Sequence, residues 1–169
     1  MALKPQDLLV VLKLWVGRES RWTYPALAAS LGMSQSEVHA AVRRAALSRL
    51  LPAPEIGRPI AANLKEFLLK GLKYAFPAER GGLTRGFPTS IGAPPLSNTM
   101  AEGGEPPPVW PDPKGTHRGF AFEPLYPSVP FAASKDESLY TLLALVDALR
   151  DGGARGSQAA MIHLQAMIR

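Results

Sequence analysis

Proline is distributed so unevenly that it divides the chain. Of the 17 prolines in 169 residues, 11 fall between Pro88 and Pro130. Because proline has no amide donor and disfavours helix in the residue before it, this stretch is predicted to be neither helix nor central strand. Its many aromatic and aliphatic residues argue against a solvated tail. We therefore predict an ordered, extended segment over 77–133 that wraps over helices, with a mobile tip near 101–105.

Helical periodicity flanks this segment on both sides. A first helix is predicted to begin at Pro5, because proline suits the first helical position and apolar residues follow at intervals of three and four. Similar patterns predict a connecting or dimerisation helix over 62–76 and two C-terminal helices in the region 134–169. Ser134 and Glu137 have the spacing of a capping box, which predicts that Ser134 caps the first C-terminal helix.

The charge of the chain is concentrated at one end. The formal net charge is +5, and residues 1–76 carry 11 Lys and Arg against 5 Asp and Glu. Residues 77–169 carry 8 against 9. A basic module suits a polyanionic partner, because each phosphate that it neutralises releases condensed counterions. Charge alone leaves nucleic acid and an ordinary solvated basic face as equal alternatives.

Composition disfavours several classes of site. The chain has no cysteine, which removes disulfides, thiolate ligands and cysteine nucleophiles, and its three histidines are scattered. No nucleophile elbow, P-loop or metal-ligand spacing is present, so we expect no enzyme, no catalytic residue, no metal and no cofactor. No apolar run reaches the roughly 18 residues of a membrane span. Lys4 and Asp7 are unlike a secretory signal, so a cytoplasmic location without membrane contact is expected.

The stretch Tyr24–Leu51 is the most informative part of the chain, because it has the pattern of a helix, a sharp turn and a second helix. Two helices joined by a short turn need a residue that tolerates positive φ and small or apolar residues where they meet. Gly32 meets the first requirement, and Met33 supplies an apolar plug after it. Ser34 and Glu37 form a capping box that begins the second helix.

The outward face of this second helix carries the predicted DNA contacts. With Val38 and Ala41 facing inwards, the rotation of about 100° per residue turns small and hydrogen-bonding residues outwards. Glutamine pairs with adenine and arginine with guanine in the major groove, and serines near a helix N-terminus hold phosphate. The alternative for His39 is that it is an exposed residue without a functional role. The candidate DNA-binding residues on this helix are Ser34, Gln35, Ser36, His39, Arg43 and Arg44.

A short β-hairpin is predicted after this helix, over 50–60. Leucines lie on one side of a turn at 54–57, and Arg58-Pro59-Ile60 lies on the other. Arg58 is therefore a candidate for contact with phosphate or the minor groove. The prolines predict that the hairpin is short or irregular.

Together, these features over 4–61 resemble the winged helix-turn-helix superfamily of bacterial transcriptional regulators, with a reading head similar to MarR-type and antitoxin-type proteins. The resemblance implies a mainly α chain with a winged helix-turn-helix DNA-binding domain over 1–61. The alternative is that the two helices within Tyr24–Leu51 are an ordinary antiparallel helix pair, which also needs apolar faces. No specific family is identified for residues 77–169.

The resemblance also implies a function. It points to a sequence-specific regulator, most simply a repressor, that binds double-stranded DNA as a homodimer with half-sites about one helical turn apart. The helices outside the reading head either form the dimer or only cover their own core. An alternative is a protein-interaction module such as an antitoxin, which binds a partner protein through the proline-rich and C-terminal regions.

A glycine-rich stretch inside the proline-rich segment is a second candidate site. Gly81 and Gly82 lie between Arg80 and Arg85, and the backbone amides of such a loop can form an anion-binding concavity. The loop would then bind a small effector, a partner protein or the DNA backbone. The alternative is a loop whose glycines only permit turns.

Overall fold

The computed structural model describes residues 1–100 and 104–169, so residues 101–103 of the predicted tip lie outside the described residues. The chain divides into two compact units, each built from two separate stretches of sequence. The first unit comprises residues 1–64 with 125–140, and the second comprises residues 65–124 with 141–169.

The first unit is helical. Its first helix is predicted correctly, since it begins at Pro5 and ends before Gly17. The Asp7 carboxylate accepts a hydrogen bond from the Lys4 amide at 2.8 Å, which satisfies a backbone donor at the start of the helix. The helices of this unit are α1 (Pro5–Val16), α2 (Tyr24–Leu31), α3 (Gln35–Leu47) and α7 (Val129–Ser134), with the ends of two helices that continue in the second unit.

Helix α1 is buried along most of its length. Every side chain from Asp7 to Trp15 is buried, and the helix packs against α3. Two of these side chains are charged. Asp7 accepts hydrogen bonds from Arg44 at 2.7 and 2.8 Å, and Lys13 donates to Asp136 at 2.7 Å. Because a buried charge without a partner is costly, these pairs hold α1 against two other parts of its own unit.

The prediction of a β-hairpin over 50–60 is wrong. Residues 51–60 contain no strand, and a hydrogen bond from the Ile60 amide to the Leu50 carbonyl, at 2.9 Å, joins the two ends. Three prolines in this stretch remove amide donors that a two-stranded ladder needs. The segment is therefore an irregular loop instead of a β-structured wing.

The predicted connecting helix is present, with one irregularity. Residues 61–75 are helical throughout, but the middle turn has π-helical hydrogen bonding. A Cβ atom on Gly71 would lie 3.2 Å from the Phe67 ring, so the glycine leaves room for that ring in the widened turn. The segments are α4 (Ala61–Glu66), the π-helical turn (Phe67–Gly71) and α5 (Leu72–Ala75).

The second unit contains a sheet that the sequence does not predict. Strand β1 pairs antiparallel with both other strands, and β2 pairs parallel with β3, so the three strands close on one another. The expectation that the proline-rich segment holds no central strand is therefore wrong. Prolines lie at the strand ends, where a missing amide costs little. The strands are β1 (Arg80–Pro88), β2 (Pro108–Pro111) and β3 (His117–Phe122).

Short helices also interrupt the proline-rich segment, which corrects the expectation that it is extended throughout. Each begins or ends close to a proline, and none is longer than six residues. They are a 3-10 turn (Ser90–Gly92), α6 (Ser97–Met100) and α7 (Val129–Ser134).

Both C-terminal helices are confirmed as α8 (Glu137–Asp151) and α9 (Ala154–Met167). The predicted cap of α8 is wrong, however. The Ser134 hydroxyl donates to the Phe131 carbonyl within α7, whereas the Asp136 carboxylate accepts from the Leu139 amide at 3.1 Å. Asp136 lies one residue before the helix and reaches its free amides directly. The prediction of a mainly α chain is confirmed, with a small sheet added.

A buried polar network stabilises the second unit. The Asp147 carboxylate accepts hydrogen bonds from the Thr89 hydroxyl at 2.6 Å, from the Trp110 indole at 2.8 Å and from Arg150 at 2.8 Å. The Arg150 guanidinium also donates to the carbonyls of Phe76 and Glu123, each at 3.0 Å. The network thus ties α8 to β1 and β2 in the interior of the unit.

Candidate nucleic-acid interface

Helices α2 and α3 are joined by a turn that only a few residue types can form. The turn begins at Gly32, which has φ 63° and ψ 34°, in the left-handed region that favours glycine. Met33, which follows it, is buried. On the other side of the turn, a Cβ atom on Gly32 would lie 2.9 Å from the Phe131 ring of α7. Backbone conformation and close packing therefore both require the glycine.

A capping box begins α3, as the sequence predicts. The Ser34 hydroxyl accepts from the Glu37 amide at 3.1 Å, and the Glu37 carboxylate accepts from the Ser34 amide at 2.7 Å. The Tyr126 hydroxyl donates to the other Glu37 oxygen at 2.6 Å. This bond from Tyr126, with those from Ser34, lowers the pKa of Glu37. The one carboxylate in the first turn of α3 is thus occupied by hydrogen bonds.

We expect the variant Tyr126→Phe to raise the pKa of Glu37 towards its ordinary value, because the largest cause of the lowered pKa is removed. A carboxyl with a lowered pKa in the folded protein stabilises the fold above its unfolded pKa, and that stability is lost as the pH falls through the folded value. An NMR titration of the Glu37 carboxyl carbon measures the change. The variant Tyr74→Phe, at an exposed tyrosine, is the control. An identical Glu37 titration in both variants contradicts the expectation.

The two faces of α3 differ as the helical rotation predicts. The face that is buried consists of Val38, Ala41, Val42 and Ala45, and the helix packs against α1 and α2. The opposite face is exposed and carries no carboxylate. We call it the exposed face of α3, and it consists of Gln35, Ser36, His39 and Arg43.

Three of the predicted DNA-contact residues, Ser34, Ser36 and His39, interact with neighbouring side chains. The His39 ring stacks on the Tyr24 ring, with centroids 3.5 Å apart and planes 14° from parallel. The Ser34 and Ser36 hydroxyl oxygens lie 3.1 Å apart, so they share a hydrogen bond at the exposed helix N-terminus. The exposed histidine is therefore oriented by an aromatic side chain of α2.

Arg44 does not belong to this surface, which corrects its assignment as a DNA contact. Its side chain is buried and donates two hydrogen bonds to the Asp7 carboxylate of α1. Both hydrogen bonds raise the pKa of Arg44, since they favour its charged form. Helical rotation places Arg44 at the edge of the inward face, where α1 supplies a carboxylate. The positive charge of Arg44 is therefore compensated by Asp7 inside the first unit.

Arg58 is exposed, as its assignment requires, although the loop that carries it is not a hairpin. One guanidinium nitrogen lies 3.9 Å from the Glu19 carboxylate, and both side chains are mostly in solvent. An exposed pair at this distance contributes little and leaves the guanidinium available.

The predicted loop conformation around Arg80, Gly81, Gly82 and Arg85 is wrong, because these residues form strand β1. Gly81 and Gly82 lie at an irregularity in the pairing with β3. Arg80 donates two hydrogen bonds to the Asp151 carboxylate, at 2.7 and 2.5 Å, so its charge is already paired. Arg85 alone of the predicted set keeps an exposed guanidinium without an ion pair among the described residues.

The sequence analysis did not identify the residue that lies opposite Arg85 in the sheet. Residues 85–87 and 118–120 are both Arg-Gly-Phe, and the strand register places Arg85 directly opposite Arg118. Directly opposed residues of an antiparallel pair project from the same face, where like charges repel.

Within residues 1–100 and 104–169, no group of three or more His, Asp or Glu side chains is arranged to hold a metal ion. No helix in those ranges has the length and apolar character needed to cross a membrane. Comparisons of the chain with models of protein families, with curated proteins and with solved structures gave no match.

Proposed function

We propose that the chain binds double-stranded DNA through the exposed face of α3 and acts as a sequence-specific transcriptional regulator. The observation that carries this proposal is the composition of that face. Gln35, His39 and Arg43 supply hydrogen-bonding groups to solvent, while the opposite side of α3 is packed into the first unit. A helix anchored in this way can enter the major groove without rearranging its own core.

The dimensions of an α-helix fit the major groove. With its side chains a helix is about 10–12 Å across. The major groove is about 12 Å wide. Glutamine matches the adenine edge and arginine the guanine edge, while the hydroxyls of Ser34 and Ser36 lie at the helix N-terminus, where phosphate binds favourably.

The electrostatics of the first turn favour the same proposal. Glu37 is the acidic residue of α3, and its carboxylate accepts hydrogen bonds from Ser34 and Tyr126 instead of projecting free. Arg43 and Arg58 are exposed. All of the excess positive charge of the chain lies in residues 1–76, which suits docking on a phosphate backbone.

The proposal includes a homodimer, because such regulators bind paired half-sites. The second unit offers exposed apolar side chains, among them Tyr74 and Ile162. The same side chains favour a second candidate function, in which a partner protein covers them, as in an antitoxin. Sedimentation of the purified chain, alone and after co-expression with its genomic neighbours, distinguishes self-association from a heteromeric complex.

We expect Arg43→Ala to weaken binding to a selected duplex by about 1–3 kcal/mol, because a bidentate contact to a base edge is lost. The duplex is first selected from a random library or from genomic fragments retained by the protein. Anisotropy titrations then compare the wild type, Arg43→Ala and the charge-matched control Arg169→Ala, whose arginine is exposed at the far end of the chain. The control is expected to bind within about twofold of the wild type.

Salt provides the second arm of this experiment. Wild-type affinity is expected to fall steeply between about 50 and 200 mM salt, since binding that neutralises phosphates releases counterions. An affinity that does not change with salt, or an Arg43→Ala variant that binds the selected duplex like the wild type, overturns the proposal.

A further inference from the structure

A cleft in the first unit, away from the exposed face of α3, has an unusual charge. Its volume is about 260 Å³, and it lies between the α1–α2 connection and the loop over 51–60. Arg18, Arg21 and Arg58 all line it, and no aspartate or glutamate does. We call it the arginine cleft. Three like charges around one small cavity repel one another unless an anion lies between them.

The charges of the arginine cleft are poorly compensated by the protein. Arg18 donates to the Trp15 carbonyl at 2.9 Å and lies over the Trp15 ring, 4.5 Å from its centroid, so it is held in place without a carboxylate. Arg21 is exposed. Arg58 has the Glu19 carboxylate at 3.9 Å, in solvent, where such a pair is weak. The Arg18 guanidinium is thus held in place by the protein, and the guanidiniums of Arg21 and Arg58 are available beside it to bind a ligand.

One wall of the cleft is rigid and aromatic. The Trp22 indole donates to the Gly17 carbonyl at 3.2 Å, and a Cβ atom on Gly17 would lie 2.7 Å from the indole nitrogen. Gly17 is therefore needed for this close approach. Leu14 and Ile56 add apolar lining. A cavity with an apolar wall and a few converging charges is typical of a small-molecule site.

We propose that the arginine cleft binds a small molecule that carries two or more linked phosphate groups. Three guanidiniums call for a ligand with several negative charges, since a monocarboxylate leaves most of the charge uncompensated. The planar fork of arginine matches pairs of phosphate oxygens. At about 30 Å³ per water molecule, the cavity holds about eight waters, which is room for a pyrophosphate group with a small organic portion against Trp22.

This proposal does not depend on DNA binding by α3. Arg58 is the one residue that belongs both to the arginine cleft and to the candidate DNA contacts. A bound polyanion occupies its guanidinium and adds negative charge to the first unit. If both proposals hold, the ligand therefore opposes docking on the DNA backbone.

Calorimetric titration with inorganic pyrophosphate tests the proposal, with sulfate at equal ionic strength as the reference anion. We expect the wild type to bind pyrophosphate more tightly than sulfate. Arg21→Ala and Arg58→Ala are each expected to weaken pyrophosphate binding by at least about tenfold, since each removes charge-assisted hydrogen bonds. The charge-matched variant Arg169→Ala is expected to bind pyrophosphate like the wild type.

A fluorescence titration locates the ligand. Pyrophosphate is expected to change the tryptophan emission of the wild type, and this change is expected to disappear in Trp22→Phe. Equal affinities for pyrophosphate and sulfate, or binding that Arg21→Ala leaves unchanged, overturn the proposal. If Arg21→Ala weakens duplex binding while the wild type does not bind pyrophosphate, the cleft is part of a DNA contact and the proposal is equally overturned.

Discussion

Asp147→Ala is expected to destabilise the protein by about 3–5 kcal/mol, which is the usual loss when one member of a buried ion pair is removed. Asp147 is 2% exposed, and three side chains donate hydrogen bonds to it. Without the carboxylate, the Arg150 guanidinium keeps its charge in the interior, and the Thr89 hydroxyl and Trp110 indole lose their partner. Each donor that stays buried without an acceptor adds its desolvation cost.

The control for this variant is Asp151→Ala, on the same helix. Asp151 also pairs with an arginine, Arg80, but both side chains of that pair are partly in solvent. We therefore expect Asp151→Ala to lower the free energy of unfolding by no more than about 1 kcal/mol. Urea unfolding followed by circular dichroism compares the two variants with the wild type. If Asp147→Ala and Asp151→Ala lower the free energy of unfolding equally, burial of the ion pair does not determine the loss of stability, and the expectation is contradicted.

Gly119→Ala is expected to cost at least about 3 kcal/mol, at the upper end of the range for overpacking. A Cβ atom on Gly119 would lie 2.0 Å from the Pro107 carbonyl oxygen and 2.8 Å from Val109 Cγ1. The carbonyl oxygen is main chain, and it accepts the Phe120 amide at 2.9 Å. Relief of the clash therefore separates β2 from β3.

Gly82→Ala is the matched control for Gly119→Ala, since it makes the same change in the same sheet. No heavy atom lies within 4 Å of a Cβ placed on Gly82. Its effect on the free energy of unfolding is expected to stay within about 0.5 kcal/mol. Urea unfolding measures both variants, and amide hydrogen exchange in β3 reports whether the strand opens. A Gly119→Ala protein as stable as Gly82→Ala contradicts the close packing of β2 and β3.

Local signals predict the helices well. Pro5, the apolar spacing after it and Gly17 locate α1, and Gly32 and Ser34 locate the ends of α2 and α3. These signals lie within a few residues of the structure that they determine, so a single sequence contains them. The cap of α8 shows their limit. Ser134 and Asp136 are both suitable cap residues, and local chemistry alone does not choose between them.

The sheet was missed because its strands pair over long sequence distances. Paired residues of β1 and β2 are 21 to 25 positions apart, and the glycines and flanking prolines of β1 are typical of loops. Gly86 and Gly119 leave room for neighbouring carbonyls, a requirement that arises only after the strands have met.

The exposed residues of the candidate interface were predictable because helical periodicity is a local signal, but its long-range contacts were not. Helical rotation correctly exposes Gln35, Ser36, His39 and Arg43. It does not reveal that Arg44 meets a carboxylate 37 positions earlier in the chain. Nor does it reveal the arginine cleft, whose lining comes from the end of α1 and from two loops. Periodicity reports which face of a helix is apolar, but ion pairs across the fold need coordinates.

The interleaving of the chain limits how this molecule can be dissected. A fragment ending at residue 64 contains the whole of α1, α2 and α3 but loses Tyr126, Phe131 and Asp136. The Lys13 ammonium group would then lie in an apolar interior without the Asp136 carboxylate. Glu37, in the first turn of α3, would lose its hydrogen bond from Tyr126. The smallest piece of the chain that keeps the proposed DNA-binding face with its supporting contacts is therefore longer than the three N-terminal helices.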